Sequence, residues 1–185
     1  MTKELDFYYE FSSPYGYFAA MEMDDFASSL NVKVNWKPFL LGAIFKTVGT
    51  QPLLDYPMKG AYSENDMYRT ARLKGLEFNM PARFPFLAVN AARLVLWGAS
   101  QDQDNAAKLS KSLYRHAYVN GADINDKGVL AEVAAECGLD PTAAVEACSD
   151  PVVKAMLKDH VDAGIEAGVF GSPFFIYEGE KFWGY

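Results

Sequence analysis

Ser13 is the residue of this chain best placed to do chemistry, because it stands where a strand pattern runs directly into a helix pattern. Serine at a helix N-cap followed by proline at the first helical position, here Pro14, is a favoured start. The hydroxyl accepts a hydrogen bond from an otherwise unpaired amide, and proline has no amide to lose. A hydroxyl in that position lies beside free N–H groups and the positive end of the helix dipole, which favours a neighbouring anion. A second serine–proline pair, Ser172-Pro173, precedes the last aromatic run. The two cysteines, Cys137 and Cys148, fall in helical stretches and form no C-x-x-C pair. They read as small core hydrophobes, not as a disulfide framework or zinc site. His116 and His160 lie ten or more residues from any cysteine or other histidine, so helix-surface or core packing is the expected role of both, and no metal site is expected.

The elements that must position Ser13 follow from periodicity. Leu5, Phe7 and Tyr9 alternate with Asp6, Tyr8 and Glu10, a strand with unequal faces. Met23, Phe26, Ala27 and Leu30 recur at helical spacing and give the following helix a face to bury. Val32, Val34 and Trp36 alternate with Lys33, Asn35 and Lys37 in a second strand closed by Pro38. A β-α-β unit of this kind implies parallel strands and a right-handed crossover. Leu40, Leu41, Ile44 and Phe45 then indicate a short helix, followed by Gly49-Thr50-Gln51-Pro52 and a loop reaching Pro57. Helices are expected over 63–74, 86–100, 105–119, 127–137, 141–148 and 151–167, with Asp140-Pro141 and Asp150-Pro151 as starts and Gly138 and Gly168 near ends. A hairpin over 174–183 closes the pattern.

The order β-α-β, helices, β-β predicts an α/β fold whose mixed sheet is interrupted by a helical insertion. The parts are 1–60, the inserted helices 61–167, and 168–185. Half of the 185 residues are hydrophobic, enough for a substantial core in one domain with an insertion. A formal charge of −7 argues against nucleic acid and repels anionic substrates at long range, so an anion site must rely on local cations or helix termini. No apolar window approaches membrane-spanning length and no signal-peptide core precedes the first strand, so a cytoplasmic protein without a membrane partner is expected.

This order, with a Ser-Pro pair before the final hairpin, is similar to the thioredoxin-like fold of the DsbA-like family. There the first helix opens with C-P-x-C; here the corresponding residues are Ser13-Pro14-Tyr15-Gly16. Thiol–disulfide exchange needs a thiolate that serine cannot supply, which removes a disulfide oxidoreductase from consideration. Within the family the serine resembles the branch of kappa-class glutathione transferases and 2-hydroxychromene-2-carboxylate isomerases. Further matches are F-x-S-P-Y-x-Y from Phe11, L-G-A-x-F-K from Leu41, P-x-K-G-x-Y from Pro57, Asp66 seven residues after Lys59, and G-V-F-G-S-P from Gly168. The wording from Leu41, with Phe84-Pro85-Phe86 and Phe182-Trp183-Gly184, leans toward the isomerases.

The resemblance implies glutathione as cofactor, a small aromatic carboxylate as substrate, and a homodimer. It implies that Ser13 keeps the glutathione sulfur charged and that the Ser172 backbone, before a cis Pro173, pairs with the cysteinyl unit. It also implies that Lys59 meets a glutathione carboxylate and that Asp66 lies near the peptide. Lys46, Arg83 and Tyr15 are secondary candidates for receiving the substrate. Two departures stand out. The family's G-N-x-P loop has Thr50 in place of asparagine, and the terminal helix that follows F-W-G in relatives is absent from a chain ending at Tyr185. The implied reaction converts 2-hydroxychromene-2-carboxylate to trans-o-hydroxybenzylidenepyruvate in aromatic catabolism. The alternatives are a kappa-like transferase or peroxidase and a non-catalytic thioredoxin-like binding module. Without the resemblance, Ser13 reads as a helix cap, Pro173 as an edge-strand start, and Lys59 and Asp66 as solvated charges.

Overall fold

The computed structural model describes residues 3–185, with the side chains of residues 46 and 47 outside the described set. The first strand, β1 (Lys3–Tyr9), leads through Ser13 into α1 (Pro14–Leu30), which returns the chain to β2 (Val32–Pro38). β1 and β2 are parallel, as a helical crossover requires, with Phe7 opposite Trp36. A 3₁₀ turn at Leu41–Ala43, the short α2 (Phe45–Val48) and a second 3₁₀ turn at Leu53–Asp55 take the place of the single short helix expected there. Six helices follow: α3 (Lys59–Lys74), α4 (Val89–Gln101), α5 (Asp104–Tyr118), α6 (Lys127–Glu136), α7 (Pro141–Ala147) and α8 (Pro151–Glu166). The chain then re-enters the sheet as β3 (Phe174–Tyr177) and β4 (Glu180–Trp183).

The sheet order is β2-β1-β3-β4, with β3 antiparallel to both of its neighbours. β1 is therefore a central strand, and both of its faces are covered. Phe7 and Tyr9 enter a cluster with Leu113, Tyr114 and Tyr118 of α5. Tyr8 enters another with Phe39, Phe174, Leu157 and Val161. The strand was expected to have unequal faces, yet Tyr8 and Glu10 are buried as fully as their neighbours. The reason is that helices pack on both sides of a mixed sheet. Phe7 stacks on Phe175 across β1 and β3 at 5.1 Å between ring centroids, a contact worth about 0.5–1.5 kcal/mol beyond its buried area.

The burial of α1 differs from its sequence pattern. Met23 and Ala27 are buried, but Phe26 is 48% and Leu30 57% exposed. The inward face instead runs through Gly16, Ala20, Met23 and Ala27, with Tyr17 and Phe18 also buried near the start of the helix. The helix starts behave as their sequences indicate. Asp140 accepts hydrogen bonds from the Thr142 and Ala143 amides and Asp150 from the Val152 amide, ahead of Pro141 and Pro151 at the first helical positions. Gly138 and Gly168 take left-handed φ values of 79° and 81° just beyond the ends of α6 and α8. No helix among the described residues is long and apolar enough to cross a membrane.

α8 approaches the sheet at Gly164, where an added Cβ would lie 2.6 Å from Cε2 of Phe39. Alanine improves helix propensity by about 1 kcal/mol, but overpacking against a buried ring costs about 1–3 kcal/mol. Gly164→Ala is expected to lower the melting temperature by roughly 2–6 °C, measured by thermal denaturation. An unchanged or higher value would mean that α8 can move off Phe39 freely.

Candidate functional site

At the N-terminus of α1, Ser13 has the extended backbone of an N-cap, with φ −111° and ψ 110°, and its Oγ accepts the Gly16 amide hydrogen at 3.0 Å. The same hydroxyl donates to the Ser172 carbonyl oxygen at 3.0 Å. The Ser172–Pro173 peptide is cis, as the resemblance implied, and the Ser172 Oγ accepts the Glu10 amide hydrogen at 2.9 Å. Two serines thus lace together the end of β1, the start of α1 and the entry to β3. Among the described residues, the Ser172 amide hydrogen has no partner.

Gly16 explains why this turn cannot carry a second thiol at the C-P-x-C spacing. A Cβ there would lie 2.6 Å from the Tyr114 hydroxyl and 2.9 Å from the Ser172 Oγ. Tyr114 holds its position by donating to the Glu10 carbonyl, and Tyr118 donates to the Phe11 carbonyl, each at 3.0 Å. Both tyrosines were missed as site-supporting groups. The sequence marked them only as part of the helix expected over 105–119.

All six residues expected at the site, Ser13, Thr50, Lys59, Asp66, Ser172 and Pro173, line one cavity of about 850 Å³. That volume lies within the range of small-molecule sites, and the remaining wall is largely apolar, with Leu41, Phe45, Phe86 and Trp183 among its residues. Thr50 Oγ1 lies 3.2 Å from the Tyr56 hydroxyl. Lys59, exposed at the first position of α3, holds its ammonium 5.3 Å from the centre of the Tyr56 ring. α3 has no side-chain N-cap, and its Lys59 and Gly60 amides donate instead to the Pro57 and Tyr56 carbonyls, so the positive charge at this corner is the Lys59 ammonium.

Asp66 differs from the free surface charge that base rates favour. One carboxylate oxygen accepts from the Tyr15 hydroxyl at 2.8 Å, and the other pairs with Arg69 at 2.6 Å. The Arg69 hydrogen bond first, and the Tyr15 hydrogen bond second, hold its carboxyl below the usual range. Burial and Asp66 together push the Tyr15 hydroxyl up, so it stays a protonated donor. Of the secondary candidates, only Tyr15 is placed at the cavity. Arg83 is exposed and outside the lining, and the Lys46 side chain lies outside the described residues. A second cis proline, at Phe84–Pro85, also lines the cavity and was not anticipated as cis.

Glu10 is the residue the sequence reading passed over. It lines the cavity while only 8% exposed, and its carboxylate accepts the Leu41 amide hydrogen at 3.0 Å and the Ser12 amide hydrogen at 3.4 Å. It therefore ties the Ser13 turn to the 3₁₀ turn that forms the opposite wall. Burial pushes its carboxyl up to about 7 against the opposing pull of those amides. Its only sequence signal was a charge in an outward register of a strand that proves to be covered on both faces.

A mixed four-stranded sheet, a helical insertion between β2 and β3, and a cis proline facing a helix N-terminus define a thioredoxin-like protein. The chain belongs to the family of DSBA-like thioredoxin domains, which matches residues 4–185. It is 26% identical over 186 residues to the 2-hydroxychromene-2-carboxylate isomerase of Sphingobium xenophagum, covering 100% of this chain and 93% of that protein. It is also 26% identical over 179 residues to the kappa 2 glutathione S-transferase of Caenorhabditis elegans, covering 93% and 80% respectively. A solved 2-hydroxychromene-2-carboxylate isomerase shares the fold with a TM-score of 0.88 at 22% identity, covering 98% of this chain and 88% of that one.

Because Glu10 holds its proton to about 7 when folded, against an ordinary 4.5, the folded chain keeps a proton that the unfolded chain has released between those values. Stability from this group is therefore lost as pH rises through that window, by at most about 3 kcal/mol, and is constant above it. Denaturant unfolding of wild type and Glu10→Gln from pH 4.5 to 8 is expected to show their stability difference shifting against the wild type until about pH 7. A difference that does not vary with pH would mean an ordinary carboxyl.

Proposed function

We propose that this chain is a glutathione-dependent isomerase that converts 2-hydroxychromene-2-carboxylate to trans-o-hydroxybenzylidenepyruvate. The observation that carries the reading is the Ser13 hydroxyl, at the N-terminus of α1 and 3.0 Å from the carbonyl of a residue preceding a cis proline, within a cavity shared with Lys59 and Asp66.

The residues present fit a tripeptide thiol. Ser172 has a free amide hydrogen and a carbonyl held only by a rotatable hydroxyl, the donor–acceptor pair an extended peptide needs. The Lys59 ammonium at the start of α3 suits a terminal carboxylate. When bound, glutathione supplies a thiolate that adds to the unsaturated substrate and leaves after rotation about a carbon–carbon bond. Ser13 has a single hydroxyl proton, now given to Ser172. Its role requires the hydroxyl to turn from the carbonyl to the sulfur, which frees that carbonyl for the cysteinyl amide. The hydrogen bond and the α1 dipole then both favour the charged sulfur. Tyr15, whose hydroxyl proton is given to Asp66, presents an aromatic face to the cavity. The apolar wall excludes water and suits a flat aromatic substrate. Lys59 supplies local positive potential in a chain whose net charge of −7 repels anions.

A kappa-like glutathione transferase is the second reading. The kappa relative is as similar in sequence as the isomerase, and the same serine serves any attack by the thiolate. Turnover of the chromene against that of a halodinitrobenzene separates the two.

Calorimetry with glutathione tests the shared premise, and absence of binding would leave only a thioredoxin-like module without this cofactor. Ser13→Ala is expected to lower turnover about 10²-fold or more, the usual loss for one well-placed hydrogen-bond donor. It should also raise the pKa of the bound thiol, followed by thiolate absorbance. An unchanged thiol titration would remove Ser13 from the mechanism.

A further inference from the structure

On the helical side of the molecule, away from the cavity, α5 and α6 bring together three side chains that the sequence keeps apart. His116, in the last turn of α5, is 6% exposed, and its Nε2 lies 3.2 Å and 3.3 Å from the two carboxylate oxygens of Glu136. Glu132 stands one helical turn before Glu136 on α6, so both project from the same face. One ligand atom from each of His116, Glu132 and Glu136 falls within 4.8 Å of the others.

We propose that His116, Glu132 and Glu136 form a binding site for a divalent transition metal of the zinc class. Tetrahedral coordination with bonds of about 2.0–2.1 Å separates ligand atoms by roughly 3.3–3.4 Å. The His116–Glu136 spacing already matches that edge, and the exposed Glu132 has the freedom to complete it. A simple His116–Glu136 hydrogen bond accounts for two of the residues but not for the third. Glu132 has no hydrogen bond or ion pair among the described residues and stands beside a like charge one turn away, an unfavourable arrangement that a cation would reverse. Ser112 donates to Glu136 Oε2 at 2.6 Å, an outer hydrogen bond of the kind that orients a metal-binding carboxylate. That bond is the main cause holding the Glu136 carboxyl below its usual range.

A cavity of about 530 Å³ lined by His116, Glu136, Ser112 and Cys137 leaves room for water to fill the remaining coordination position. Lys108, Lys111 and Arg115 line the same cavity and oppose a cation, although Lys111 is already paired with Asp24. The imidazole of His116 selects against oxygen-seeking ions such as Mg²⁺ and Ca²⁺, for which it is a poor ligand.

The test is titration of metal-stripped, thiol-free full-length protein with Zn²⁺ by calorimetry, with Co²⁺ visible absorption as the report on coordination. One Zn²⁺ per chain with a Kd on the order of micromolar is expected, together with a rise in melting temperature on adding the ion. Glu132→Gln changes an exposed residue without touching the core and should weaken binding by about 10-fold or more while leaving the metal-free melting temperature in place. His116→Asn should abolish the cobalt band, and Cys137→Ala should leave it unchanged. The site is overturned if wild type binds no stoichiometric Zn²⁺, if Glu132→Gln binds as wild type, or if Cys137→Ala removes binding. None of these readouts depends on glutathione.

Discussion

The structure depends on how the chain leaves the sheet at the end of β1. A strand that stops in the protein interior leaves amide and carbonyl groups away from water, and each one unpaired costs about 1–3 kcal/mol. Here the Glu10 amide, the Glu10 carbonyl and the Phe11 carbonyl each have a partner drawn from elsewhere in the chain. Ser172 takes the Glu10 amide, Tyr114 the Glu10 carbonyl and Tyr118 the Phe11 carbonyl, while Ser13 caps α1 and reaches back to Ser172. The candidate site is the surface of this network, so its geometry is held by the same bonds that let the fold close.

That origin accounts for the character of the site. The position of a second thiol is filled by the approach of Tyr114 and Ser172, and glycine is the residue that permits it. The turn therefore contains a hydroxyl and no redox pair, and its chemistry lies in orienting and charging a group brought from outside. Opposite it, Glu10 binds the amides of two separate turns, which fixes the width of the cavity between α1 and the Leu41–Ala43 turn. Around these polar groups the walls are apolar, and an electrostatic interaction made inside them is screened less than one at the surface.

The net charge of −7 and the chemistry expected here are compatible because charge is distributed locally. Lys59 at the start of α3 and the N-terminus of α1 both face the cavity. Several acidic side chains elsewhere are paired, as with Glu22 and Lys74, or cap helices, as with Asp140 and Asp150.

Much of this was legible in the sequence where the cause is local. Alternation marked β1 and β2, proline after an acidic cap marked α7 and α8, and Ser13-Pro14 marked the start of α1, because each depends on neighbouring residues satisfying one another. The motifs from Phe11 to Pro173 were enough to name six of the residues that line the cavity. What only the tertiary structure decided is which faces are covered and which distant groups meet. β1 is buried on both faces because helices pack on both sides of the sheet, which turns Glu10, just beyond it, from a solvent-facing charge into a buried carboxyl. α1 buries Tyr17, Phe18, Ala20 and Met23 in place of Phe26 because the sheet and α5 approach from that side. His116 meets Glu132 and Glu136 because α5 and α6 pack together, a contact that no local period records.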